Sequence, residues 1–350
     1  MRPRELIVGA LLLAACGKEA PPAPDAKAAK PAVEASDAHR QAPLNPRILR
    51  RFRPLRSSFV RQDAPPSAAL VDLGRMLYFE PRLSSDRRVS CNSCHGLDHY
   101  GVDGLRVSFG HDKKVGARNS PSTFNAAGLV AQFWDGREAD VEHQVTGPLL
   151  NPVEMGETPE RVVETLSSIP EYVERFQAAF PGRASPISVE NVTIAIGAFE
   201  RGLVTPAPWD RYLAGDTSAL SSAQLEGLRV FTNVGCISCH TGELVGGSSF
   251  QLVGAVKPWP NTTDHGRMEL TKNASDDMMF KVPSLRNVAM TAPYFHDGSA
   301  ATLDEAIHMM GEYQLGVTLT DSERASVAAW LTSLTGTPDA AYVRAPTLPR

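Results

Sequence analysis

Two pentads of one pattern carry the most specific chemistry in this chain: Cys91-Asn92-Ser93-Cys94-His95 and Cys236-Ile237-Ser238-Cys239-His240. At this spacing the two thiols reach the vinyl groups of one haem as thioethers, and the adjacent His is held beneath the iron as an axial ligand. A redox dithiol or half of a zinc site would use the same thiol pair. Neither requires the following His, and a zinc site would normally bring both pairs to one metal. A His follows a given Cys by chance roughly one time in forty at average composition, so two coincidences favour two covalent c-type haems. Four of the five cysteines are accounted for in this way.

The fifth, Cys16, belongs to a different signal. Arg2 and Arg4 precede an apolar run from Leu6 to Ala15, too short to span a bilayer as a mature helix, which reads as a secretory signal over 1–16. The run ends Leu13-Ala14-Ala15-Cys16-Gly17, which resembles a bacterial lipoprotein box, with cleavage before Cys16 and lipid on its thiol; ordinary cleavage nearby is the alternative. Either way the mature protein is expected in the periplasm, and with lipid on Cys16 it is anchored to a bacterial membrane. Residues 17–45 are rich in Ala, Pro and Lys with almost no large apolar side chains, so they cannot bury enough surface to offset their ordering entropy and read as a disordered tether. The remainder suffices for two domains, 46–205 and 206–350, with one pentad in each. A net charge of −4 makes nucleic acid an unsuitable partner.

The elements that must position the pentads are helical. Thr158-Pro159-Glu160 opens a helix to about Ser168, with Thr as cap and Pro in the first turn. Ser188 to Gly202 forms another, with Val192, Ile196 and Phe199 on one face. Ser221-x-x-Gln224 resembles a capping box leading into Leu225, Leu228 and Phe231 just before the second pentad. Thr320-x-x-Glu323 starts a last helix with Val327, Trp330, Leu331 and Leu334 at apolar helical spacing. Strand signals are sparse. The long Gly/Pro-rich connections 96–132 and 241–294 are expected to wrap the haems. The expected fold is therefore mainly α: two cytochrome c-like domains, each with one covalent c-type haem, joined by long ordered loops.

Larger stretches resemble a known family. Arg82-Leu83-Ser84 through the first pentad, Phe109-Gly110-His111, Arg118-Asn119-Ser120-Pro121, Gln132-Phe133-Trp134-Asp135-Gly136-Arg137 and Gly147-Pro148 through Glu154-Met155 resemble the bacterial di-haem cytochrome c peroxidases. So do Phe280-Lys281-Val282-Pro283-Ser284-Leu285-Arg286-Asn287, Thr291-Ala292-Pro293-Tyr294-Phe295-His296-Asp297-Gly298 and Met310 through Gln314-Leu315-Gly316.

The resemblance implies roles residue by residue. His95 becomes the proximal ligand of a low-potential peroxidatic haem, and His111, sixteen residues further on, its displaceable distal ligand. Glu154 becomes the distal acid/base and Gln144 a second polar residue of that pocket. Trp134 stands between the haems, where burial is expected of it in any reading. His240 and Met310 become the ligands of a high-potential electron-transfer haem, with Met309 a neighbouring competitor and His296 nearby. Asn119, Thr291 and Pro293 match residues that hold a calcium ion, one Ca²⁺ being implied. His99, His143, His265 and His308 read as surface histidines.

The implied activity is reduction of hydrogen peroxide to water with electrons from a small cytochrome c or cupredoxin, in a possible homodimer. Two alternatives stand beside it. One is a MauG-like di-haem oxidase of a partner protein, in which the residue matching Met310 is Tyr. The other is a non-catalytic di-haem electron-transfer protein.

Overall fold

A computed structural model describes residues 42–350. The secretory signal, Cys16 and nearly all of the tether lie outside the described residues.

The chain is mainly helical, as expected. Its principal helices are α1 (Ala68–Tyr78), α2 (Val141–Leu150), α3 (Pro159–Ser167), α4 (Pro170–Ala179), α5 (Val189–Glu200), α6 (Pro208–Leu213), α7 (Ser222–Asn233), α8 (Leu303–Met309) and α9 (Asp321–Thr332). A π-helical turn, Met310–Leu315, continues α8. Among the described residues one small sheet forms, pairing β1 (Phe250–Leu252) antiparallel to β2 (Met279–Lys281), with Gln251 opposite Phe280.

Local sequence sets the helix starts. The Thr158 side chain accepts from Arg161 N and that of Ser188 from Asn191 N, satisfying donors that the first turn leaves free. Ser221 with Gln224, and Thr320 with Glu323, form reciprocal capping boxes.

Each half repeats one packing device. The helix preceding a pentad crosses a later helix of the same half at a glycine. A Cβ on Gly74 of α1 would lie 1.8 Å from Ala195 O on α5, and a Cβ on Gly227 of α7 would lie 1.8 Å from Ser326 O on α9. Only hydrogen at these positions lets the two backbones approach so closely.

Around the first crossing lies a core of Leu73, Leu77, Tyr78, Tyr172, Phe176 and Phe199. Around the second lies one of Phe52, Trp209, Phe231, Trp330, Leu331 and Leu334. The ends of the described chain cross over. Leu44, Ile48 and Leu49 pack on the second core, while Tyr342, Val343 and Leu348 pack on the first.

Candidate functional site

Cys91–Cys94 is a single helical turn, and His95 N donates to Cys91 O at 2.9 Å, folding the imidazole back under the thiols. Tyr78 Oη, at the end of α1, donates to His95 O at 2.8 Å. His95 Nδ1 faces Gly101 O at 3.3 Å, so the nitrogen that carries the proton is Nδ1 and Nε2 is left as a lone-pair donor. The second pentad repeats this. His240 N donates to Cys236 O at 3.1 Å, and Nδ1 faces Val245 O at 3.2 Å. Burial lowers the pKa of both imidazoles, that of His240 to about 4, which keeps them neutral as metal ligation requires.

The thiols are unlinked. Burial pushes Cys94 up to about 11 and Cys236 up to about 12, and raises Cys91 as well. Such thiols are unlike the low-pKa thiolate of a redox dithiol. Among the described residues no group of three or more His, Cys, Asp and Glu is gathered to hold a metal, so the two pairs do not converge as a zinc site would require. A Cys pair beside a neutral, Nδ1-anchored His fits a covalent haem at each pentad.

The second pentad opens on a cavity of about 260 Å³ walled mainly by apolar side chains, among them Phe231, Leu285, Ile307 and Leu331. Met310 lines this cavity with Cys236, Cys239 and His240. It starts the π-helical turn, and such turns occur often at functional sites. Met309 instead packs with Tyr294, Ala300 and Ala306.

Trp134 also lines the cavity, with its Nε1 donating to Asn119 O at 2.9 Å and its ring edge-on to His296 at 6.4 Å. It is half-buried rather than well buried, because its ring forms part of the cavity wall instead of a closed core. His296 is buried and stacked on Phe280 at 4.1 Å, and its Nε2 has no hydrogen-bond partner. Asn119, Thr291 and Pro293 line the same cavity. Asn119 Nδ2 donates to Leu105 O at 3.0 Å, which aims its Oδ1 away as an acceptor.

On the first pentad's side, two backbone segments run together: His111 N donates to Glu154 O at 2.7 Å. Gly110 makes this approach possible, since a Cβ there would lie 2.0 Å from Val153 O. The Glu154 carboxyl accepts from Asn151 Nδ2 at 2.7 Å. Burial raises its pKa, opposed by the Asn151 hydrogen bond and the Arg137 charge. Its own charge bears on Cys94, behind the larger effect of burial on that thiol. Gln144 sits half-buried on α2, away from any hydrogen-bond partner for its side chain.

His111 is buried with both ring nitrogens engaged by protein. Nδ1 lies 2.8 Å from Ser85 Oγ, and Nε2 lies 2.9 Å from Pro152 O and from Lys114 Nζ. In this arrangement the ring is turned to its protein partners and offers no free nitrogen to an iron. Ser85, Asn151 and Lys114 escaped sequence reasoning because their types are common on surfaces; only their contacts distinguish them. His99, His143, His265 and His308 are exposed beside carboxylates.

The fold and these paired seats define a class, a mainly helical protein built around two cytochrome-type pentads with unequal distal surroundings. A family model described as di-haem cytochrome c peroxidase matches residues 68–218. The "Cytochrome c551 peroxidase" of Pseudomonas aeruginosa is 45% identical over 278 residues, 78% of this chain and 80% of that protein. That of Nitrosomonas europaea is 43% identical over 279 residues, 79% of this chain and 83% of its own. A solved structure described as a MauG-like protein associated with microbial copper homeostasis superposes with a TM-score of 0.71 at 30% identity, covering 84% of this chain and 95% of that one. The chain belongs to the di-haem cytochrome c peroxidase family, and two haems are implied by that membership.

Proposed function

We propose that this protein reduces hydrogen peroxide to water, taking electrons from a small cytochrome c or cupredoxin. The observation that carries this reading is the inequality of the two seats. Beside the first pentad stand a half-buried carboxyl with a raised pKa and a histidine whose ring nitrogens are held by protein; at the second, a thioether lines an apolar cavity together with the pentad's own histidine.

Bound haem iron supplies the electron transfer that divides the O–O bond. The chain's own part is proton handling and positioning. Glu154 Oε takes the proton from one peroxide oxygen and returns it to the departing one, and burial raises its pKa in the direction that helps it carry that proton. Overall, one hydrogen peroxide, two electrons and two protons give two waters. Cys91, Cys94 and His95 would hold the first haem. Cys236, Cys239, His240 and Met310 would hold the second, where thioether ligation favours a high potential. Trp134, in the wall of the second cavity, would help couple the two haems. His111 would serve as a displaceable ligand of the first haem, with Ser85, Pro152 and Lys114 holding its ring when it is not bound.

The division into haem domains near residue 205, calcium held by Asn119, Thr291 and Pro293, and export with lipid on Cys16 belong to the same proposal. Calcium is supported by the shared cavity wall and the free Asn119 Oδ1, hard oxygen chemistry suited to that ion. Among the described residues no helix is long and apolar enough to cross a membrane.

The test is anaerobic half-reduction followed by peroxide, with oxidation of ferrous cytochrome c as readout. The first haem is expected to be high-spin in the half-reduced protein and the donor to be oxidised at two equivalents per peroxide. A first haem that stays six-coordinate, with no donor oxidised, would show an electron carrier instead.

A further inference from the structure

Lys281 ends β2 inside the wall of the second cavity. It is 6% exposed, and its main-chain N–H donates to Trp134 O at 2.8 Å. Its ammonium makes no hydrogen bond or ion pair among the described residues. The carboxylate acting on it is that of Asp135, which is already committed to Arg118 at 2.6 Å and to Arg137 at 3.0 Å. Arg286, the other cation of the cavity wall, is fully paired: its guanidinium meets both Asp210 oxygens at 2.7 and 2.8 Å and donates to Glu243 O. Taking an ammonium out of water is costly unless an anion compensates it, and burial pulls Lys281 down to about 8.

An unpaired, nine-tenths-buried cation in an otherwise apolar cavity calls for a ligand with an anionic edge. Haem has one: its two propionate carboxylates, on the part of the macrocycle away from the thioether bonds. We propose that Lys281 pairs with a propionate of the haem held by Cys236, Cys239 and His240, and that its fixed positive charge holds the reduction potential of that haem up. The inference rests on reading the second cavity as a haem seat. The sign follows from electrostatics, since reduction adds an electron and a nearby cation favours the reduced form.

The experiment is potentiometric titration of holoprotein, wild type against Lys281→Met, Lys281→Gln and Lys281→Arg, with haem counted by pyridine haemochrome. Met and Gln are expected to retain two haems and to shift the reduction equilibrium of the high-potential haem at least about fivefold toward the oxidised form, while Arg stays within about twofold of wild type. Met and Gln variants that carry two haems and titrate with the wild type would overturn the pairing. Should these variants fail to accumulate, a crystal structure of the wild-type holoprotein decides. Nζ within about 4 Å of a propionate oxygen supports the pairing, and a longer separation overturns it. A wild-type mass lacking haem on Cys236 and Cys239 would defeat the haem-seat reading itself, a result distinct from failure of the Lys281 pairing.

Discussion

At the scale of single residues, Glu154 is the side chain with the most to do. Its carboxyl is partly desolvated, so it holds its proton to higher pH than an exposed glutamate does, against the opposing hydrogen bond from Asn151 and charge of Arg137. Activity that needs the carboxylate to accept a proton is therefore lost as pH falls through this raised pKa, giving an acid limb in kcat/KM for peroxide at higher pH than an exposed glutamate would give. Glu154→Gln is expected to retain both haems, lose turnover about a hundredfold or more, and lose that limb. Steady-state rates across pH with haem content as control measure this; near-normal turnover in the variant would remove Glu154 from its role.

Among the elements, α5 carries an unusual cost. It ends in Glu200, which is buried and has no ion pair among the described residues; burial first, and then the Glu142 charge, raise its pKa to about 8, with Arg201 opposing. Its charge also bears on Tyr78 and Cys91, so it lies toward the first seat. In the unfolded chain this group ionises at its ordinary value, whereas the folded chain keeps the proton until about pH 8. The native state thus binds more protons between those values, and stability from this residue is present at low pH and lost as pH rises through the window. Glu200→Gln removes the titration while keeping shape. Relative to wild type it should gain on the order of 2 kcal/mol or more between pH 5 and pH 8, read by denaturant melts of the holoprotein. Parallel pH profiles for the two proteins would show that Glu200 ionises freely.

For the molecule as a whole, the exchanged chain ends matter most. Tyr342 stacks on Phe199 at 5.1 Å, donates to Phe199 O at 2.7 Å, and lies over the α1–α5 core; Arg82 and Arg75 donate to Pro349 O and Ala341 O. The last residues therefore seal the half that holds the first pentad, although they follow the second in sequence. Deleting 338–350 should lower stability by about 2–4 kcal/mol, the scale of one buried aromatic with its hydrogen bond. Thermal melts followed by Soret absorption would show loss at the first haem before the second. A truncated protein that melts as one unit with the full chain would show that the strap is dispensable.

What the sequence determined by itself was local. The pentads, the capping pairs at Thr158, Ser188, Ser221 and Thr320, and the helical periodicities are settled by neighbours a few residues apart, so they read directly from the chain. Resemblance named Glu154, His111 and Met310. What only the tertiary structure decided was surroundings: that His111 turns both ring nitrogens to protein, that Glu154 is desolvated, that Trp134 walls a cavity and so is half-exposed, and that Lys281 is buried unpaired. Burial and pairing arise between segments far apart in the chain, where a Lys or Glu looks the same whether solvated or enclosed. The two proposed haem seats are thus written in five-residue motifs, and the difference between their surroundings is made by packing.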